Sequence, residues 1–321
     1  MPRRNLFCIF VVLLLISCGT LQAQETRKVR LAYSALSLAF LPHLVAKDAG
    51  LFQKQGLDVD LIQMSGPLPV VALTAGELDF GAAVTTALFA AARGLPLRGL
   101  MITVKTPLFY IVSDPSTKRL EDLPEKRLAV DQIGSLQHTV TRLMLKKKGV
   151  DPDRISYFQT GSVSNSLAAL SGGTVSAALL SIPNNMIMAQ KGFRQLASSQ
   201  EAGVNYPTGG LAVHLNKLQQ NRSQVKRMIT ALLESLRYID NEKPWVISYI
   251  ERRWKLTPKL AAEAYSLVLP TLAMDGKVGL DHVQEFLDVA YESRQIQQKA
   301  ESRSLMDYAL LDETLKDRRG R

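Results

Sequence analysis

Cysteine is almost missing from this chain. Of 321 residues only Cys8 and Cys18 are cysteines, and both lie at the N-terminal edge. A body without cysteine holds no disulfide framework, no cysteine-ligated zinc and no cysteine nucleophile. Histidine is scarce too: His43, His138, His214 and His282 are far apart, with no ligand spacing such as H-x-x-x-H. The G-x-S-x-G, H-E-x-x-H and G-x-x-x-x-G-K-[ST] patterns do not occur. Their absence does not exclude an enzyme, but it removes the positive case for one. No cofactor or metal site is expected. Low-complexity tracts are lacking, so most of the chain should fold.

What is present is an ordinary globular balance, 46% hydrophobic and 21% charged. The formal net charge is +10, and removing residues 1–17, with Arg3 and Arg4, leaves +8. A basic balance can signal nucleic acid, a membrane surface or anionic ligands. The basic knots at Lys146-Lys147-Lys148, Arg252-Arg253 and Arg318 to Arg321 are not interleaved with aromatics. They read as solvated faces, and no nucleic-acid partner is expected.

Arg3 and Arg4 followed by the apolar run Phe7 to Ile16 have the form of a bacterial export signal. The run is shorter than the about 20 residues of a spanning helix. Leu15-Ile16-Ser17-Cys18 resembles a lipobox, which makes Cys18 the expected lipidation site. Ordinary cleavage near Ala23, giving a soluble periplasmic protein, is the alternative. Residues 1–17 are therefore read as a signal peptide and 18–27 as a tether.

From Lys28 onward short apolar runs alternate with helical stretches. Strands are expected at Val29 to Ser34, Leu57 to Met64, Leu78 to Val84 and Leu97 to Val104. Helices are expected at Leu41 to Gly50, Pro67 to Ala75 and Ala87 to Arg93. This βαβ rhythm implies a mostly parallel sheet flanked by helices. After the strand Phe109 to Ser113 the rhythm restarts, with strands at Leu128 to Ile133, Ile155 to Gln159 and Ser176 to Leu180. Arg30-Leu31-Ala32 recurs as Arg127-Leu128-Ala129, and Ala72-Leu73-Thr74-Ala75-Gly76 as Ala169-Leu170-Ser171-Gly172-Gly173, both at an offset of 97 residues. A shared offset within one element order argues for two similar lobes. Beyond Asn216 the pattern is helical, with Thr257-Pro258 a clear helix start. With chain crossings near Phe109 and Gly209, those helices return to the first lobe. The expected division is lobe 1 at 28–108 and 212–321, and lobe 2 at 109–211.

Ligands of open α/β sheets bind at the carboxyl ends of parallel strands. In the first lobe those positions include Ser34, Leu36, Ser65, Gly66, Thr85 and Thr86. In the second they include Gly134, Ser135, His138, Gly161, Ser162 and Ser181. Hydroxyls, glycines and helix starts suit an oxyanion or a polar neutral group. Ser135 and the threonines can equally serve as helix caps, and Ser65-Gly66 as a turn. Asp131 is an isolated acid near a strand end. Phe40, Phe89 and Tyr110 can stack on a ligand or fill the core.

Ala46-Lys47-Asp48-Ala49-Gly50-Leu51-Phe52 with Gly56-Leu57-Asp58-Val59, the block Ala72 to Gly81, Gly134-Ser135 with Arg142 and Gly149, and Asp275-Gly276-Lys277-Val278 form a further pattern. Together they resemble substrate-binding proteins of nitrate/sulfonate/taurine-type ABC transporters, a group that includes thiamine-pyrimidine-precursor binding proteins. The resemblance covers roughly residues 28–295. It implies a two-lobe, type II periplasmic-binding-protein fold that closes about a hinge on a small anionic or heterocyclic ligand. It also implies ligand contacts at Ser34, Thr85 and Ser135, with Gly134-Ser135 as an anion loop, and delivery to an ABC permease. The chain is expected to be a monomer outside the cytoplasm, tethered by lipid, and not an enzyme. A ligand sensor or a biosynthetic enzyme on the same fold is the alternative.

Overall fold

The structure, a computed structural model, describes residues 28–204 and 206–319. The expected signal, tether and Cys18 site lie outside the described residues. Ten strands form two five-stranded sheets. They are β1 (Val29–Tyr33), β2 (Val59–Gln63), β3 (Phe80–Gly81), β4 (Leu97–Val104), β5 (Phe109–Ser113), β6 (Arg127–Val130), β7 (Ser156–Gln159), β8 (Ala177–Ser181), β9 (Arg194–Ser198) and β10 (Gly209–His214). One sheet has the order β2-β1-β3-β10-β4 and the other β7-β6-β8-β5-β9.

Each sheet has four strands running one way and one running against them. β10 is antiparallel to β3 and β4, and β5 is antiparallel to β8 and β9. Those two strands are the ones reached by crossing between the sheets. The 97-residue offset is visible in the ladders: Leu31 pairs with Phe80, and Leu128 with Ala177. β4 is buried at seven positions and half-buried at one. Such a run needs cover on both faces.

On one face the Val84–Ala92 helix presents Leu88 and Phe89, both buried. From the C-terminal region, Gly276 accepts from the Ile102 N–H and the Asp307 N–H donates to Gly99. Gly99 also bridges Met306, where an added Cβ would lie 2.3 Å from the sulfur and would push the Met306 side chain aside. The long Arg222–Asn241 helix packs on the Leu41–Asp48 helix, and Ser235 Oγ donates to the Pro42 carbonyl at 2.6 Å. The expected helical C-terminal region therefore covers the first sheet. Thr257 caps the Pro258–Val268 helix as the sequence implies, accepting from the Leu260 N–H.

Three local expectations change. The strand expected over Leu78 to Val84 shrinks to Phe80–Gly81, because the next helix starts at Val84 rather than Ala87. The strand expected through Ile133 stops at Val130, and residues 131–134 turn out of the sheet. β9 was not anticipated; its Arg194 and Gln195 are exposed at the sheet edge and break any apolar pattern.

Candidate functional site

The carboxyl ends of both sets of parallel strands open onto one cavity of about 580 Å³. The first sheet contributes Ser34, Gly66 and Thr86, and the second contributes Asp131 to Gln137 and Ser181. Phe40, Pro67, Val70, Phe89, Phe109 and Ile133 make most of its wall apolar. A volume of this size suits an organic molecule rather than a triatomic or tetratomic ion.

Of the residues singled out from sequence, Ser34, Gly66, Thr86, Gly134, Ser135 and Ser181 line this cavity. The others do different work. Thr85 is fully buried in the first turn of its helix and its hydroxyl donates to the Pro207 carbonyl. The Leu36 carbonyl accepts from the Trp254 indole at 3.2 Å. Ser65 Oγ donates to the Ser34 carbonyl at 3.3 Å and ties two loops together. Gly161 donates its N–H to the Asp131 carbonyl at 2.7 Å. Ser162 caps the Val163–Ser171 helix. His138 packs edge-on to Tyr157 with ring centroids 4.4 Å apart. Its Nδ1 accepts from the Gly134 N–H at 3.1 Å, and burial, with Arg142 nearby, lowers its pKa. Of the aromatic candidates, Phe40 and Phe89 face the cavity; Tyr110 lies in the sheet core and not among the lining residues.

The Asp131–Ser135 turn has a closed internal economy. The Gln132 N–H donates to Asp131 Oδ1 at 2.7 Å, Ile133 N–H to Gln159 Oε1 at 3.1 Å, and Ser135 N–H to the Gln132 carbonyl at 3.1 Å. Ser135 Oγ accepts from the His138 N–H at 3.3 Å and donates to Asp131 Oδ1 at 2.5 Å. Gly134, at φ +82°, makes the turn possible. The anion loop implied at Gly134-Ser135 thus has its donors already engaged. Burial pushes the Asp131 carboxyl pKa up, against the pull of its Ser135 and Gln132 hydrogen bonds.

Sequence reasoning missed the lining residues Arg93, Arg294 and Thr208. Arg93 and Arg294 stand at an exposed rim, and the Arg93 guanidinium donates to the Gln295 carbonyl at 2.6 and 3.1 Å. Both come from segments with no strand-end signal. Thr208 lies at the inner end, where it also borders a side chamber of about 20 Å³ with Ser37 and Ser181. Its Oγ1 is buried with no hydrogen-bond partner among the described residues. A space of that size holds about one water.

The family described as NMT1/THI5 like matches residues 37–243, well over half of the chain. The chain belongs to the NMT1/THI5-like family. Among curated members of similar sequence, a binding protein of Brucella abortus (strain 2308) is 27% identical over 198 residues, 60% of either chain. The match thus spans about 60% of that relative's length. Binding protein YtlA of Bacillus subtilis (strain 168) is 22% identical over 250 residues, 74% of each chain. The fold is shared with the alkanesulfonate-binding protein SsuA from Xanthomonas axonopodis pv. citri bound to MOPS, at TM-score 0.75 and 20% identity. That match covers 89% of this chain and 99% of the other. It is shared also with the periplasmic nitrate-binding protein NrtA from Synechocystis PCC 6803, at TM-score 0.75 and 13% identity, covering 91% and 89%. The desulfurization enzyme DSZB has it too, at TM-score 0.65 and 13% identity, covering 91% and 100%.

Proposed function

We propose that this NMT1/THI5-like chain is an extracytoplasmic solute-binding protein that encloses a small organic molecule between two lobes and hands it to an ABC importer. The observation that carries this reading is a cavity of about 580 Å³ lined by the strand ends of both sheets. Contacts to both walls favour the closed arrangement over the open one, which is all that ligand-driven closure requires. The lobe boundary expected at 211/212 falls inside β10, which pairs with β4, so lobe 1 takes Gly209 onward; the β4–β5 and β9–β10 connections form the hinge. Relatives named as binding proteins, together with an alkanesulfonate-binding and a periplasmic nitrate-binding structural neighbour, support the assignment.

The ligand contacts of this reading are Ser34, Gly66, Thr86 and Ser181, with Thr208 and the Asp131–Ser135 turn. Acylation of Cys18 tethers a monomer near its permease, although one acyl chain alone gives only marginal anchoring. The test is native mass spectrometry of protein purified from its own host, followed by a thermal-shift screen. Ligand at a hundredfold excess over its Kd should add about 2.7 kcal/mol of stability. A second reading, an enzyme on this fold, is favoured by the likeness to DSZB. Recovery of the bound molecule unchanged after prolonged incubation separates capture from catalysis.

A further inference from the structure

The second-sheet wall of the cavity carries a half-buried carboxyl whose hydrogen bonds fall on one of its two oxygens. Asp131 leaves β6 at its carboxyl end and lines the cavity. The hydrogen bonds it receives from Ser135 and Gln132 both land on Oδ1. Among the described residues no Lys, Arg or His side chain is hydrogen-bonded or ion-paired to it. A carboxyl half withdrawn from water gains from a donor on its remaining oxygen, because its desolvation is otherwise only partly compensated. The nearby cations do not meet this need: Arg93 is held by the Gln295 carbonyl, and neither it nor Arg294 forms an ion pair with Asp131. An oxyanion at this wall would meet a carboxylate and a turn whose donors from Gln132 to Ser135 are already taken.

We infer that the ligand is an apolar-bodied molecule carrying an N–H donor group of the amine or amidinium type, and that Asp131 Oδ2 receives that group. The inference rests on the reading of the cavity as a solute site. The Phe40, Pro67, Val70, Phe89, Phe109 and Ile133 surfaces accept the body of such a molecule. On the opposite wall the Val84–Ala92 helix begins without a side-chain cap. Its N-terminus offers about half a positive charge, the opposite polarity to the Asp131 carboxyl. It suits a carbonyl or ring nitrogen at the far end of the ligand.

The test uses the full chain, wild type and Asp131→Asn, in two parts. Native mass spectrometry identifies the molecule that co-purifies from the host. Calorimetry and thermal shift then compare benzamidine, benzyl alcohol, benzoate and benzenesulfonate at millimolar concentration. The expected results are a co-purified molecule with an N–H donor, and benzamidine bound in preference to its neutral and anionic counterparts. Asp131→Asn should weaken the cationic ligand about 10- to 100-fold. Without ligand, Asp131→Asn should melt no lower than wild type at pH 7, which separates lost binding from lost folding. A co-purified oxyanion without an N–H group, or tighter binding of benzenesulfonate than benzamidine, overturns this inference and leaves the solute-binding reading standing. If nothing co-purifies and no probe raises the melting temperature, that reading fails and the inference with it.

Discussion

Replacing Gly210 by alanine should destabilise the protein strongly, although alanine is the better residue for an unfolded chain to lose. A Cβ at Gly210 would lie 2.2 Å from the Met101 carbonyl oxygen and 2.9 Å from Val84 Cγ1. The first neighbour is backbone of β4, so the clash cannot be relieved by turning a side chain. Relief requires β10 to move by about 1 Å. Gly210 donates its N–H to Ala82 at 2.9 Å, and its carbonyl accepts from His43 Nε2 at 2.7 Å. A shift of β10 therefore loosens two neighbours at once. Overpacking costs about 1–3 kcal/mol and the His43 hydrogen bond about 1 kcal/mol. The gain from a stiffer unfolded chain is only about 0.4–1 kcal/mol. The balance is a loss of about 2 kcal/mol, or roughly 4–8 °C in Tm at this size. Urea unfolding followed by the fluorescence of Trp245 and Trp254 measures it, with the slope unchanged and the midpoint lowered. A Gly210→Ala variant within about 0.5 kcal/mol of wild type would refute the argument that β10 sits against the β4 backbone.

Three more outcomes follow from neighbouring residues. Thr85→Val should cost about 1–3 kcal/mol because the buried Pro207 carbonyl loses its donor, whereas Thr86→Val should stay within about 0.5 kcal/mol and alter ligand affinity; equal costs in denaturant titrations would contradict this division. Burial lowers the pKa of His43 from 6.5 to about 4. Folding thus favours its neutral ring, a contribution complete above pH 6.5 and lost as pH falls toward 4, worth about 3 kcal/mol at most; stability measured between those pH values should fall less steeply in His43→Gln. Thr208→Val should leave the ligand-free melting temperature equal or higher, since its hydroxyl is buried without a partner, while weakening ligand binding; a drop of several degrees without ligand would show the hydroxyl to be structural.

The architecture was legible because its signals are periodic and local. The Arg30/Arg127 echo set an offset that the ladders Leu31–Phe80 and Leu128–Ala177 obey. The same offset carries Leu97, the start of β4, onto Arg194, the start of β9, although hydropathy around Arg194 revealed no strand. The site was half legible. Ser34, Gly66, Gly134 and Ser181 were found by counting to the ends of strands. Thr85 and Thr86 were misassigned to a loop because their helix starts behind Ala83, a residue with no capping side chain to announce it. The Ser135–Asp131 hydrogen bond depends on how the turn folds back, and Arg93, Arg294 and Thr208 arrive from segments that only tertiary packing brings together.

The exchange of β5 and β10 between the sheets bears on how the chain is made. One sheet is drawn from a continuous stretch, β5 to β9, residues 109–198. The other lacks the strand between β3 and β4 until Gly209–His214 has been synthesised. During synthesis the inner sheet can therefore complete itself while the outer one waits with β3 and β4 unjoined. A chain truncated before Gly209 should retain the inner sheet and expose the outer one as an unpaired, aggregation-prone edge.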